Sequence, residues 1–438
     1  MSHAPTRRSF LASATGLAAG ATLMSRSAHA QTGAAGATGL PATPADAQAN
    51  ATNEAYWNQV RALYDVSPDY LNLENGYYGI MTRPIADAYK RHIDALNLNS
   101  SHFLRQSFNG DGIEKIRARI AQEIGAATDE VAITRGGTES LQNLIINYRP
   151  LKAGDTVMYS DLDYDAMQHA MTALAEQRGA ERAIVRMPEP ATRQAILDAY
   201  AQALRQHPRT RLLLLTHISH RTGLMLPVAE LCAMAKQRNV DVIVDIAQSY
   251  GQMDLRIADL NADFVGANLH KWIGAPLGVG MLYIRKERLA DIGVHMGAAE
   301  FPVTDIRARV HAGTVNTANI MTIPDAYDQH HRIGGANKSA RLRYLRNYWV
   351  ERARAIDGVQ ILAPDGMHGA ITSFRLAGRT SKEDNVLLAR RLLAEQGVFT
   401  VVRHGPAGGS CVRVTPALFT QPRELERLVD GIRALSKG

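Results

Sequence analysis

The stretch that decides the fold is Val242-Ile-Val-Asp-Ile-Ala-Gln-Ser-Tyr-Gly251, followed shortly by Asp263-Phe-Val-Gly-Ala-Asn-Leu-His-Lys-Trp272. Each half is a short apolar run that ends in polar side chains, a pattern typical of a buried strand in a parallel sheet. The first run ends at Asp245, and the second ends just before Lys271. Because the carboxyl ends of parallel strands meet at one edge of a sheet, we expect this acid and this amine to lie close together.

The sequence around this stretch alternates amphipathic helices with short apolar runs. The predicted strands of this part are 131–134, 156–159, 183–187, 211–216, 240–244, 264–267 and 278–285, the last of them antiparallel. The predicted helices between them are 113–124, 138–148, 165–177, 191–206 and 228–238. Such alternation predicts an α/β domain with a mainly parallel sheet flanked by helices, which we assign to residues 86–318.

The order of elements changes after about residue 320. A long helix, 337–355, comes first, and short strands at 369–375 and 410–415 then alternate with helices at 382–396 and 422–436. This pattern predicts a smaller α+β domain over residues 319–438.

Composition excludes several classes of protein. The chain has 438 residues, 46% hydrophobic and 21% charged, as expected for a globular enzyme. Three of its positive charges lie in the first 30 residues, which hold no acid, so the net charge of +7 falls by three to +4 for the remainder. That charge is too small to indicate a nucleic-acid partner. Two cysteines cannot build a disulfide framework or a cysteine metal cluster, and we expect no metal site.

The N-terminus predicts export. Paired arginines in Thr6-Arg-Arg-Ser-Phe-Leu11 precede a weakly apolar stretch and the tripeptide Ala28-His-Ala30, which together indicate a twin-arginine signal peptide over residues 1–30, cleaved after Ala30. The apolar stretch is too short for a membrane span, so we expect a periplasmic protein without a stable membrane anchor. Residues 31–53, rich in Ala, Gly, Thr and Pro, predict a disordered linker, and 54–85 an ordered N-terminal segment.

Polar loops follow several of the predicted strands. Thr134-Arg-Gly-Gly-Thr-Glu-Ser140 could bring backbone N–H groups to a phosphate at a helix start, or could be a plain helix cap. Ser160-Asp-Leu-Asp-Tyr-Asp165 presents Tyr164, which could lie on a bound ring or pack internally. Thr216 to Pro227 is a further polar turn at the same sheet edge, and Arg309 to Asn316 is a polar turn that could present Thr314 and backbone N–H groups to a phosphate.

A lysine and an aspartate at neighbouring strand ends are the groups that a pyridoxal phosphate site needs. The lysine forms a Schiff base, and the carboxylate keeps the pyridine nitrogen protonated. Arg413, in the predicted strand Cys411-Val-Arg-Val-Thr415, requires an anion, either a substrate carboxylate or an internal acid. Asn75 and Tyr77, in a Gly-rich turn, could reach the substrate or could only satisfy the turn.

The motifs together resemble the class V aminotransferases, which are fold-type I pyridoxal phosphate enzymes. The pieces that carry the resemblance are Arg-Gly-Gly-Thr-Glu, Thr-His-Ile-Ser-His, Val-Asp-Ile-Ala-Gln-Ser, Asn-Leu-His-Lys, Ala-Gly-Thr-Val-Asn and Val-Arg-Val-Thr, in this order over residues 68–435. The resemblance implies a seven-stranded, mainly parallel sheet and a homodimer. It also implies these roles: Lys271 as Schiff-base lysine and general acid/base, Asp245 on the pyridine nitrogen, Gln248 on the phenolic oxygen, Tyr164 stacked on the ring, Gly137, Thr138, Asn268 and His270 on the phosphate with Thr314 of a second subunit, and Arg413 on the substrate carboxylate.

Two departures from the family pattern narrow the function. His220 stands where many relatives have Asn, and we keep it as a candidate cofactor contact. A desulfurase needs a cysteine on a mobile loop, whereas Cys411 lies two residues before Arg413 within a predicted strand. The sequence therefore resembles the exported, isopenicillin N epimerase-like branch. It predicts chemistry at the α-carbon of an amino acid or peptide-like amine, by epimerisation or transamination. Tailoring of a secreted peptide such as a siderophore and a non-catalytic binding protein are the alternatives.

Overall fold

A computed structural model of the chain describes residues 40–310 and 313–437. The predicted signal peptide, residues 1–30, and the first part of the predicted linker lie outside the described residues. Within the described ranges, no helix is both long and apolar enough to cross a membrane.

Helices and strands follow one another along the described chain. The helices are α1 (Ala47–Asn50), α2 (Glu54–Arg61), α3 (Arg83–Phe103), α4 (Ile113–Ile124), α5 (Gly137–Ile146), α6 (Asp165–Arg178), α7 (Arg193–Gln206), α8 (Val228–Lys236), α9 (Thr317–Met321), α10 (Ile323–Ile333), α11 (Gly335–Arg354), α12 (Lys382–Gln396) and α13 (Pro422–Leu435). The strands are β1 (Leu71–Asn72), β2 (Val131–Thr134), β3 (Thr156–Ser160), β4 (Glu181–Val185), β5 (Thr210–Thr216), β6 (Asp241–Asp245), β7 (Phe264–Asn268), β8 (Gly280–Ile284), β9 (Val359–Ile361), β10 (Thr372–Leu376), β11 (Val398–Phe399), β12 (Val401–Arg403) and β13 (Cys411–Val414).

The central sheet has seven strands in the order β2-β8-β7-β6-β5-β3-β4. Strand β8 pairs antiparallel with both of its neighbours, and the other neighbouring pairs are parallel. Strands β3, β7 and β8 are buried along their whole length because helices cover both faces, which explains their apolar sequences. The predicted α/β fold with a mainly parallel seven-stranded sheet is confirmed.

A second, four-stranded antiparallel sheet follows in the order β12-β13-β10-β9. It packs with α11, α12 and α13 around a separate core that includes Trp349 and Phe374. The N-terminal segment belongs to this core as well, because β1 pairs with β11 and Leu71 and Leu73 are buried in it. The residues just after β1 therefore run from this core toward the ends of the central strands.

The structure differs from the sequence prediction in several segments, and helices α9 and α10 and strands β9, β11 and β12 are among the elements that the sequence did not predict. The predicted disorder of residues 31–53 is wrong over its described second half, since Asp46 caps helix α1 and the side-chain amide of Asn50 donates to Asn337. No helix was expected over residues 83–112, where α3 runs into a π-helical segment, Leu104–Gly112, before α4. The limits assigned to the two domains stay predictions.

Candidate active site

A cleft of about 760 Å³ opens at the carboxyl edge of the central sheet, between the ends of its strands and the strand β12–β13 hairpin. Its size suits a small-molecule site. All of the residues predicted for the site line it except Asn75 and Thr314. The lining members of that set are Tyr77, Gly137, Thr138, Tyr164, His220, Asp245, Gln248, Asn268, His270, Lys271 and Arg413.

Asp245 and Lys271 form the polar centre of the cleft. Asp245 is buried at the end of β6, where one carboxylate oxygen accepts the Ala247 N–H at 2.8 Å. Burial raises the pKa of Asp245, and the nearby positive charge of Lys271 opposes that rise. Burial lowers the pKa of Lys271 to about 8, with Asp245 acting in the opposite direction. The Lys271 amine makes no hydrogen bond within the described chain, so it is free to react.

The backbone around Lys271 is fixed from two sides. The Gly79 N–H donates to the carbonyl of His270 at 2.9 Å, and a Cβ at Gly79 would lie only 1.9 Å from the Lys271 carbonyl oxygen. On the other side, the buried amine of Lys338 donates to the Trp272 carbonyl at 2.7 Å and to His330. Gly79 belongs to the Gly-rich turn and Lys338 to the predicted helix 337–355, but neither pattern indicates a contact with the backbone around Lys271.

An anion-binding cradle lies at the start of α5. The Gly137 N–H donates to the side-chain oxygen of Asn268 at 2.7 Å, which locks β7 to the helix start. Thr138 and Glu139 follow in the first turn, where backbone N–H groups have no partner within the helix. His270 donates from Nδ1 to the Val279 carbonyl at 2.9 Å, so its other nitrogen is left for a ligand. This arrangement suits a phosphate.

An aromatic pair forms one wall of the cleft. Tyr164 ends the loop after β3, is 39% exposed and contacts the His220 ring edge-to-face, with 5.1 Å between the ring centroids. Burial and the neighbouring guanidinium of Arg413 hold the pKa of His220 well below its usual value, so this ring is neutral. The His220 Nδ1 is buried without a hydrogen-bond partner. A flat ligand could therefore stack on Tyr164 and contact His220.

Gln248 completes the floor of the cleft. Its side-chain amide donates to the Gly76 carbonyl at 2.8 Å, and its oxygen accepts the Trp272 indole N–H at 3.1 Å. One N–H of the amide remains for a ligand.

The cleft as a whole fits pyridoxal phosphate. It offers a carboxylate on the floor, a helix start for a phosphate, an aromatic wall and an unpaired lysine amine. Thr314 is exposed and lies outside this cleft.

The predicted substrate residues have different surroundings. Tyr77 lies at the rim and is 71% exposed. Asn75 does not reach the cleft, because its amide group donates to the carbonyls of Asn72 and Thr415 and so holds the turn in place. Arg413 is 1% exposed and pairs with the buried carboxylate of Glu74, which is the internal acid that the sequence analysis left open.

Neither cysteine is available to the cleft. Cys411 is fully buried in β13, and burial raises its thiol pKa to about 11. Cys232 is buried on α8 with a pKa raised to about 12. Both thiols are therefore protonated and inaccessible at neutral pH.

Comparison with known proteins connects this geometry to a family. The family model of class-V aminotransferases matches residues 85–428. An isopenicillin N epimerase from Streptomyces clavuligerus is 27% identical over 87% of this chain and 99% of its own length. A probable cysteine desulfurase from Vibrio cholerae is 26% identical over 80% of this chain and 89% of its own.

Solved structures show the same fold. The apo cysteine desulfurase from Thermococcus onnurineus superposes with a TM-score of 0.74 and 21% identity, covering 87% of this chain and 98% of that one. The family match extends over most of the chain and includes every strand of the cleft. The chain thus belongs to the class-V aminotransferase family and is a pyridoxal phosphate-dependent enzyme.

Proposed function

We propose that the enzyme is exported to the periplasm and acts at the α-carbon of an amino acid or peptide-like amine, by epimerisation or transamination. The observation that carries this proposal is the unpaired amine of Lys271 beside the buried carboxylate of Asp245. The similarity to isopenicillin N epimerases over nearly their full length supports α-carbon chemistry. The paired arginines near the N-terminus support export.

The side chains of the cleft have distinct roles in this proposal. Pyridoxal phosphate, when bound, supplies an electron sink for the charge left at the α-carbon. Asp245 would hold the proton on the pyridine nitrogen, and the start of α5 with His270 would hold the phosphate. Lys271 would carry the cofactor and then move the α-proton. A pKa near 8 suits this task, because an amine that gains and loses protons near neutral pH serves as both base and acid.

The choice between epimerisation and transamination depends on where the proton returns. Epimerisation requires a second proton donor on the face opposite Lys271, and the candidates that line the cleft are Tyr164, Tyr77 and His220. The buried ring of His220 is neutral, so a tyrosine is the better source of that proton. Transamination needs only Lys271 and a keto-acid partner.

Desulfuration is disfavoured by the two thiols. A desulfurase needs an accessible thiolate to attack the substrate sulfur, whereas Cys411 is fully buried and Cys232 lies on helix α8 outside the cleft. We also propose a homodimer in which Thr314 of a second copy reaches the phosphate. Its exposure on the single chain leaves it available for that contact.

The reaction can be determined in deuterated water. The purified enzyme, loaded with pyridoxal phosphate, is incubated with a panel of L- and D-amino acids and with short peptides that carry a free amine. Deuterium at the α-carbon with inversion and without keto acid supports epimerisation, and keto acid with the aminated cofactor supports transamination. Release of sulfide or alanine from cysteine would contradict the proposal, as would the absence of exchange with every compound.

A further inference from the structure

The arginine that the family resemblance assigns to the substrate carboxylate is already paired within the chain. Both oxygens of Glu74 accept from one terminal nitrogen of Arg413, and the other terminal nitrogen donates to the His220 carbonyl at 2.7 Å. The Glu74 side chain is only 7% exposed. Glu74 and the His220 carbonyl thus engage both terminal nitrogens of Arg413, and its Nε is buried without a partner in a side chain that is only 1% exposed, which leaves little of this guanidinium accessible to a substrate carboxylate.

The backbone segment that carries Glu74 is also fixed in place. Glu74 forms an isolated parallel β-bridge with Thr415, and the backbone N–H of Glu74 donates to the side-chain oxygen of Asn72 at 2.9 Å. Two residues later the backbone passes directly over the Arg413 guanidinium, since a Cβ at Gly76 would lie 2.8 Å from one of its nitrogens. Removing Glu74 from Arg413 would leave the buried charge of Arg413 without its ion-pair partner, which is unfavourable.

Arg403, on the neighbouring strand β12, still has unused donors. Its side chain is 26% exposed and lines the cleft. One terminal nitrogen lies 3.4 Å from Glu74, whereas its Nε is buried without a partner and its second terminal nitrogen makes no hydrogen bond in the described chain. Burial lowers the pKa of Arg403 to about 10, so the side chain stays charged at neutral pH.

Arg403, Arg413 and Glu74 together carry a net positive charge, which favours the binding of one more anion. Two arginines against one glutamate amount to a single positive charge beside Lys271, and both arginines lower the pKa of that amine. We propose that Arg403 binds the carboxylate of the substrate, whereas Arg413 is paired with Glu74. The inference rests on the proposed function, because it takes the substrate to be an amine that carries a carboxylate.

The test uses the enzyme loaded with pyridoxal phosphate, with propionate as an unreactive carboxylate probe and propionamide as its neutral counterpart. Calorimetric titration gives the dissociation constant of each for the wild type and for Arg403→Met, Arg403→Lys and the double variant Glu74→Gln/Arg413→Met. Arg182→Met, an exposed change on the edge strand β4, is the charge-matched control. Thermal unfolding and cofactor uptake show that each variant is folded and loaded.

We expect Arg403→Met to weaken propionate binding roughly ten- to a hundredfold and Arg403→Lys to recover part of it. The double variant and the Arg182 control should stay within about threefold of the wild type. Undiminished binding in Arg403→Met would overturn the assignment, and so would a loss in the double variant as large as in Arg403→Met. Failure of the wild type to take up pyridoxal phosphate would instead refute the proposed function, so the two failures are distinguishable.

Discussion

The lowered pKa of Lys271 predicts how the enzyme captures its cofactor as pH changes. Only the neutral amine attacks an aldehyde. Burial lowers the pKa of Lys271 from 10.5 to about 8. At a pH below both pKa values, each unit by which the pKa is lowered raises the neutral fraction of the amine tenfold. At pH 7 the buried amine is therefore neutral roughly 300 times more often than a free lysine. Capture should therefore be fast at neutral pH.

The assay mixes apoprotein with pyridoxal phosphate and follows the visible absorbance of the covalent complex from about pH 6 to pH 10. The rate should rise with pH and level off near pH 8, whereas the rate for N-acetyl-lysine should rise until about pH 10. The negative charge of Asp245 raises the pKa of Lys271, so Asp245→Asn should move the plateau to lower pH. A wild-type rate that rises in parallel with N-acetyl-lysine beyond pH 9 would refute the reasoning.

Three substitutions test other parts of the site. Gly79→Ala should destabilise the protein by about 1–3 kcal/mol and impair cofactor uptake, because its Cβ would meet the Lys271 carbonyl. The control in thermal unfolding is Gly110→Ala, because the space around Gly110 is open. Lys338→Met should cost about 1–3 kcal/mol by leaving the Trp272 carbonyl without its donor, whereas the exposed Lys286→Met should change stability by less than about 0.5 kcal/mol. Tyr164→Ala should weaken pyridoxal phosphate binding about three- to tenfold in fluorescence titration, and Tyr164→Phe should leave it unchanged if the ring stacks on the cofactor. Equal effects of each variant and its control would contradict these expectations.

The central sheet could be predicted from sequence because its strands are buried on both faces. Strand β2 and helix α4 have the predicted ends, and β5, β6 and β7 differ from prediction by one residue at one or both ends. The polar loops after these strands gather at one edge for the same topological reason, so most of the candidate site followed from the positions of the strand ends.

The pairing of Arg413 with Glu74 could not be predicted, because the two residues lie 339 positions apart and no local pattern connects them. The surroundings of Asn75 depend likewise on Thr415, in a strand-like segment at the other end of the chain. Long-range contacts with little local signature account for both of these gaps. Helix α3, Arg83–Phe103, was not predicted although its sequence has an apolar stripe comparable to that of the predicted helix α4.

The central claim, that Lys271 carries pyridoxal phosphate, is tested most directly by mapping the attached cofactor. The loaded enzyme is reduced with borohydride, digested and analysed by mass spectrometry. We predict one modified lysine, Lys271, and a visible absorption band that borohydride removes and that Lys271→Ala lacks. Lys338 is the competing site, since burial lowers its pKa to about 7. A cofactor attached to Lys338 or to a surface lysine, or a band that persists in Lys271→Ala, would contradict the claim.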